Sequence, residues 1–397
     1  MRILCLTQVL PHPLDAGPKT RAYYVLRHLA ERGHSVTLVS FTRDDDTPAS
    51  RAHLGEFCDA VHTLPMPRSR WRDARFLVAS LVGGRSFIIQ RDTHAGMLAL
   101  LDQLMERERF DVVHADQLWM AQYALRCQSV RRVLDAHNAV YLIPQRLAAS
   151  ETNPVKRLLL RREAQALAAY EAAVCRRFDR VVTVTGEDRR LLQALAGDGR
   201  DMTVIPICVD PGEKPPLVRA AQPHRLLILG TMFWPPNVEG TLWCAREVLP
   251  QVLRQVPDAV LTIVGKNPPP AVRALAGPNV EVTGYVADPT PYLAESAAFL
   301  VPLRAGGGMR VKILDAWCWG VPVVSTTVGA EGLAIRPGEN LLIADDSAAF
   351  ADAVVRLMRE PGLGERLSAN GRAWVEAHYD WRTVYRRWDE VYAGLDA

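Results

Sequence analysis

A succession of short apolar runs, separated for most of the chain by longer amphipathic stretches, limits this sequence to few architectures. In the first half the runs are RILCLTQ (2–8), SVTLVSF (35–41), DVVHAD (111–116), RRVLDAH (131–137), RVVTVT (180–185) and, more weakly, TVIPI (203–207). In the second they are RLLILG (225–230), AVLTIVG (259–265), VEVTGY (280–285), AFLVPL (298–303), PVVSTT (322–327) and LLIAD (341–345). Most are continuous rather than alternating, as strands of a parallel sheet covered on both faces must be. Between them lie helical patterns such as AYYVLRHLAERGH (22–34), stopped by Gly33, and VEGTLWCAREVLPQVLRQ (238–255), which Asn237 would cap. WRTVYRRWDEVYAGL (381–395) reads as one aromatic-rich helix. Repeated βα units predict an α/β chain, and 397 residues exceed one ordinary core, so two doubly wound sheets are expected. The proline- and charge-rich CVDPGEKPPLVRAAQPHR (208–225) lacks an apolar run and reads as the linker. The expected divisions are 1–207, a linker over 208–224, 225–378, and a C-terminal helix within 379–397.

Charge and cysteine content narrow the function classes. Lys and Arg number 47 against 44 Asp and Glu, a net +3, which gives no support for nucleic-acid binding. Seven cysteines stand singly with no CxxC pair, which fits a reducing cytosol better than a disulfide framework or a zinc site. The apolar start is too short for a signal-peptide core, and no long uncharged run suggests a membrane span. The expected location is cytoplasmic, with peripheral contact to the inner membrane face left open. PRSRWRDARFLVASLVGGRSFIIQR (67–91) bears on that question, because arginines interleave there with Trp71 and Phe76. It reads either as an interfacial segment meeting a lipid-linked substrate or as a basic helix on the domain surface.

In an open parallel sheet, ligands bind beyond the carboxyl ends of the strands, so the loops there carry the chemistry. The first, VLPHPLDAGPKTR (9–21), holds Gly17 before a helix with Arg21 in its first turns, an anion nest or an ordinary βα turn. It lacks the GxGxxG fingerprint of a dinucleotide site. His114 and Asp116 end one strand; Asp135, His137 and Asn138 end another, as proton carriers or as partners of loop backbone. The loop GTMFWPPN (230–237) reads as a shaped wall or as packing. GGGMRVKILDAW (306–317) is the most pointed stretch. Its glycines expose backbone N–H groups at a helix start, and Arg310 and Lys312 add charges that a helix N-terminus normally repels. A bound diphosphate would explain them; a solvated helix end with Lys312 paired to Asp315 is the bland alternative. The acidic DDDT (44–47) reads as a solvated loop rather than a metal site.

In order and spacing, several motifs resemble glycosyltransferase family 4, retaining enzymes of the GT-B fold, and especially its bacterial exopolysaccharide-associated members. They are LPHPLDAGPKTRAYYVLRHLAERGHSVTLVSF, VIPICVD, GTMFWPPNVEGTLWCAREVLP, IVGKNPPP, VTGYVADPTPYL and GGGMRVKILDAWCWGVPVVSTTVGAEGL. The resemblance implies two Rossmann-like domains facing each other across a cleft, the second holding a nucleotide-sugar donor and the first a saccharide, lipid-linked or other hydroxyl acceptor. It implies a metal-independent, hexosyl-type transferase without a cofactor, serving surface polysaccharide or related glycan synthesis. Carried over, Tyr285, Val286 and Gly265 would border the base and Asp315 the ribose. Arg310, Lys312 and Gly308 would meet the diphosphate, with Gly17 facing it from the first domain. Gly307, Gly329 and Glu331 would border the sugar, and the last helix would cross back to the first domain.

The chain also departs from the family pattern. Gly307 stands where the first of two spaced glutamates is usual, and the second is the shorter Asp315. The loop after the second domain's first strand lacks the usual Arg and Lys. Asp116 occupies the second position of an HxH-like pattern, so Asp116 and His137 become the candidates for acid–base work. A non-catalytic nucleotide-sugar-binding subunit and a nucleotide-sugar epimerase stay open as alternatives.

Overall fold

The computed structural model describes residues 1–43, 46–66, 69–197, 199–219, 224–232, 234–306 and 308–395. The chain forms two compact units, Met1–Cys208 with Arg382–Ala397, and Val209–Trp381. Unit 1 is built on seven parallel strands: β1 (Arg2–Thr7), β2 (Ser35–Thr42), β3 (Ala60–Pro65), β4 (Val112–Asp116), β5 (Arg131–Ala136), β6 (Arg180–Thr183) and β7 (Met202–Val204). Their order is β3-β2-β1-β4-β5-β6-β7. Unit 2 has six: β8 (Arg225–Leu229), β9 (Val260–Val264), β10 (Val280–Gly284), β11 (Ser296–Val301), β12 (Val323–Ser325) and β13 (Leu342–Ile343). These too are parallel, in the order β10-β9-β8-β11-β12-β13. The strand order of each sheet therefore reverses between its first and fourth strands, the place beyond whose carboxyl ends open parallel sheets bind ligands.

The apolar runs form the central strands because both faces are covered. Leu4, Leu6, Val113 and Leu134 are buried in one core, and Leu226, Ile228, Leu261 and Ile263 in the other. All seven cysteines are buried free thiols. β3 was not expected: AVHTLP lies at a sheet edge and stays half-exposed, so it lacks a continuous apolar run.

Three helical expectations need correction. The helix after β8 begins at Pro235, with Trp234 as its cap, so Asn237 lies inside it and not at its start. It does not run unbroken either, because a π-helical turn at Cys244–Val248 separates Pro235–Trp243 from Leu249–Leu253. Pro250 has no N–H for the carbonyl four residues back, and the wider turn accommodates it. The C-terminal aromatic segment is two short helices, Trp381–Val384 and Arg387–Ala393.

Residues 209–219 run along unit 2. The N–H of Leu217 donates to the Trp319 carbonyl at 3.0 Å, and Val209 bridges to Asp380. From Arg382 the chain belongs to unit 1 again. There the Tyr392 hydroxyl lies 2.7 Å from Nδ1 of His114, and Arg180 donates to the Gly394 carbonyl at 2.7 Å.

Candidate active site

The reversal point of unit 2 lies between β8 and β11, and the backbone crowds beside it, at the exits of β8, β9 and β10. Gly230 N–H donates to the Val264 carbonyl at 3.0 Å, and Gly265 N–H to the Gly284 carbonyl at 2.8 Å. A Cβ on Gly265 would stand 1.9 Å from the Gly230 oxygen, so only glycine fits. The exit of β11 passes Gly306 and Gly308, both at positive φ, and enters the helix Val311–Cys318. Arg310 is the N-cap of that helix, and its side chain makes no capping hydrogen bond to the first N–H groups.

Lys312 reaches back across the reversal point. Its ammonium donates to the Leu229 carbonyl at 3.0 Å and to Oδ1 of Asn237 at 3.2 Å. Asn237 is held for this by donating to the Thr231 carbonyl at 2.9 Å. Among the described residues no carboxylate pairs with Lys312. Burial, with help from the Arg310 charge, lowers its pKa to about 8. Arg310 is itself buried, donates to the Gly308 carbonyl at 3.0 Å, and lies 5.6 Å from the Trp234 ring centre. Two cations thus meet at a helix start, a place suited to a phosphate-bearing ligand.

The expected nearness of Asp315 to Lys312 is corrected. Asp315 instead pairs with Lys214 from the segment after β7, and the Lys214 ammonium also lies 5.4 Å from the Trp319 ring centre. Burial opposes the charge on Lys214, but Asp315 outweighs it and raises its pKa. Gly284, at φ 78°, ends β10 and is followed by Tyr285, which is 68% exposed, and by the half-buried Val286. Beyond β12, Gly329 lies in the short turn Val328–Ala330 and donates its N–H to Thr326 Oγ1 at 2.8 Å, with Glu331 following. Gly307, like Phe233 of the neighbouring loop and Asp44 and Asp45 of the acidic run, falls outside the described residues.

Unit 1 gathers a charged cluster at the end of its sheet. Asp116 ends β4 and pairs in register with Asp135 of β5, which ends one residue later at Ala136, just before His137. His137 Nε2 lies 2.8 Å from Asp116 Oδ1 and 3.7 Å from Asp135 Oδ2. Arg21 meets Asp135 with two prongs, Nε to Oδ2 at 2.8 Å and Nη2 to Oδ1 at 3.0 Å. Its Nη1 donates to the Pro206 carbonyl at 2.6 Å, and the guanidinium lies 5.2 and 5.1 Å from the Tyr385 and Trp388 ring centres. This corrects the reading of Arg21 as part of an anion nest: it is wholly buried and committed to Asp135. Gly17 opens its helix.

Electrostatics fix the protonation of this cluster. Burial would raise Asp135, but the Arg21 charge outweighs it and holds the carboxyl well below its usual range. Burial would also discharge His137, but Asp116 and Asp135 overcome it and raise the imidazole to about 9. His137 is therefore an imidazolium at neutral pH, and its buried Nδ1 has no hydrogen-bond partner among the described residues. The ligand atoms of Asp116, Asp135 and His137 lie within 4.8 Å of one another, a grouping that could hold a metal. Without a metal, Arg21 and the protonated His137 balance both carboxylates, so a metal at this place would have to displace the His137 proton.

Some partners in both sites escaped the sequence. Asn237 looked like a helix cap and Lys214 like part of a linker. Tyr385 and Trp388 lie more than 360 residues from Arg21 in sequence, and no local pattern links them.

Comparison with known proteins agrees with this architecture. The Glycosyltransferase Family 4 model matches residues 16–213, and the model for Glycosyl transferases group 1 matches residues 223–360. An uncharacterized 44.6 kDa protein in the cps region of Klebsiella pneumoniae is 22% identical, over 97% of this chain and 98% of its own. A phosphatidyl-myo-inositol mannosyltransferase of Mycobacterium leprae is 35% identical over 37% of this chain and 41% of its own. Among solved structures, the Anabaena protein HepE in complex with UDP and glucose superposes with a TM-score of 0.69 at 14% identity, over 99% of both chains. With a glycosyltransferase model on each unit and the same strand order in both sheets, the chain belongs to the family 4 glycosyltransferases of the GT-B fold.

Proposed function

We propose that this glycosyltransferase moves a sugar, with retention of configuration, from a nucleoside-diphosphate donor to a hydroxyl acceptor in the synthesis of a surface polysaccharide. The observation that carries the reading is Lys312: a desolvated ammonium with no carboxylate partner among the described residues, beside Arg310 at a helix start that the Arg310 side chain does not cap. In this reading a diphosphate completes that charge arrangement. Arg310, Lys312, Gly308 and the helix N–H groups then stabilise the negative charge that develops as the anomeric bond breaks. Those donors supply the role a metal would otherwise fill, so transfer is metal-independent. Tyr285, Val286 and Gly265 border the base, and Asp315 exchanges Lys214 for the ribose hydroxyls. Gly329 and Glu331 border the sugar. The acceptor is read onto unit 1, where protonated His137, held by Asp116, would donate a hydrogen bond or a positive charge. The UDP and glucose of the Anabaena structure and the cps origin of the Klebsiella relative support the donor and glycan classes.

Thermal shifts with UDP-, GDP-, ADP- and dTDP-sugars, followed by transfer assays with and without a chelator, test the proposal. One nucleotide series should raise the melting temperature, and transfer should survive chelation. A chain that no sugar nucleotide stabilises would refute the reading. Stabilisation without transfer or hydrolysis would instead favour a non-catalytic subunit, the reading that Gly307 raises.

A further inference from the structure

The large apolar side chains that unit 1 leaves exposed are concentrated on three helices: Arg70–Gly83, Leu142–Ser150 and Pro154–Arg177. On the first, Trp71 and Val82 are each 86% exposed, and Val78, between them at helical spacing, 61%. On the third, Val155 and Leu158 are 66% and 69% exposed within its first two turns. Ile143 and Leu147, one turn apart on the second, are also exposed. The first and third adjoin, where Arg162 donates to Ser80 Oγ at 3.1 Å, and the second packs on the third. A groove of about 450 Å³ between the second and third is lined by Ala148, Ala149, Ala164 and Ala168, with Arg161 among its walls. Clustered exposed apolar residues of this kind mark an interaction surface.

The charge around the patch says what covers it. Residues 70–85 and 142–162 hold nine arginines and lysines against two acids, Asp73 and Glu151, in a chain that is otherwise nearly balanced. We infer that this face docks on an anionic phospholipid bilayer, with Trp71, Val78, Val82 and Leu158 entering the interface and the exposed Arg75, Lys156, Arg157 and Arg161 meeting lipid phosphates. Apolar side chains flanked by basic ones, with a tryptophan at the boundary, are the composition such a surface needs. A second copy of the chain fits poorly, because a two-fold contact would set this basic face against itself. The inference stands apart from the donor chemistry and covers a surface remote in sequence from the residues assigned to it.

Cosedimentation of the full chain with vesicles tests it, comparing pure phosphatidylcholine with a mixture containing about one-third phosphatidylglycerol. Binding is expected only to the anionic vesicles and should be lost at about 1 M salt. Val78→Ser with Val82→Ser, and separately Arg157→Glu with Arg161→Glu, should each weaken binding roughly tenfold or more without lowering the melting temperature. The charge variant leaves the apolar residues in place, so its loss of binding cannot be assigned to aggregation or a damaged core. Failure to bind anionic vesicles would overturn the inference, as would binding indifferent to both variants. So would a dimer in sedimentation, broken by Val78→Ser with Val82→Ser, in a protein that ignores vesicles.

Discussion

Lys312 faces two neutral oxygens, and its lowered pKa makes its charge conditional on pH. An ordinary lysine is charged up to about 10.5, whereas this one releases its proton as pH passes about 8. A diphosphate beside it would restore the proton. Binding of the cognate nucleoside diphosphate above pH 8 should therefore take up a proton, and affinity should fall as pH rises. Calorimetry in two buffers of different ionisation enthalpy would show the uptake, and Lys312→Met should abolish it while weakening binding about 10- to 100-fold. Equal affinity in the variant would remove the lysine from the site. His137 has the opposite shift. Its folded-state pKa is raised from 6.5 to about 9, so its contribution to stability is complete below pH 6.5 and is lost as pH rises through about 9. His137→Gln keeps a donor for Asp116 and removes the titration. It should cost about 2 kcal/mol or more at neutral pH and flatten the stability profile between those limits, as read by urea unfolding. At this scale the sequence displayed the residue types, because two cations after three glycines break the usual charge rule for a helix start. It did not display their partners. Asp315 sits three residues from Lys312, yet it pairs with Lys214 about a hundred residues away.

Glycines govern how the elements of unit 2 meet. The exits of β8 and β9 approach so closely that a Cβ on Gly265 would strike the Gly230 oxygen at 1.9 Å, with the Met232 side chain at 3.0 Å. The Gly230 oxygen and its carbonyl carbon, the latter at 3.0 Å, are backbone atoms of the neighbouring strand exit, so rotamer changes cannot relieve the clash. Gly265→Ala should cost about 2–3 kcal/mol and displace the loop that carries Thr231, the acceptor for Asn237. Gly277→Ala, whose added carbon would meet only the Leu275 oxygen at 3.9 Å, should change stability by less than about 0.5 kcal/mol. Urea unfolding of the two variants decides the matter, and equal stabilities would show that the strand exits are not packed as described. Central strands such as β4 and β11 were legible because a strand covered on both faces must be apolar throughout. β3 was not, since one edge strand with His62 and Thr63 can stay half-exposed. The π turn escaped for a related reason: helical periodicity reports a buried face but not the hydrogen-bond step that Pro250 imposes.

The path of the chain couples its last residues to its first unit. It leaves unit 1 after Cys208, builds unit 2 through Trp381, and returns for Arg382–Ala397. The sequence marked 381–395 as aromatic and helical, and its spacing could not reveal the reason for so many aromatics. Tyr385, Trp388 and Tyr392 are all at most 1% exposed, and the first two lie against the buried guanidinium of Arg21. The Tyr385 hydroxyl also accepts from the Cys208 N–H at 3.2 Å, at the point where the chain leaves unit 1. These rings enclose the Arg21–Asp135 pair, whose attraction is strong only while water is kept away. A chain ending at Trp381 would lose the burial of three large aromatic side chains, each contributing about 2 kcal/mol or more, and would wet that ion pair. The sum approaches the whole stability of a typical domain, about 5–15 kcal/mol. Unit 1 of the truncated chain should therefore melt well below 37 °C or fail to fold, whereas unit 2 keeps its own core and should still unfold cooperatively. Tyr385→Phe tests the polar part alone, since it removes the hydroxyl but keeps the ring, and it should cost about 1 kcal/mol. Calorimetry or pulse proteolysis with peptide mapping would separate the units. If residues 1–208 of the truncated chain resisted protease as well as in the full chain, the closing segment would be decoration and not part of the first unit's core.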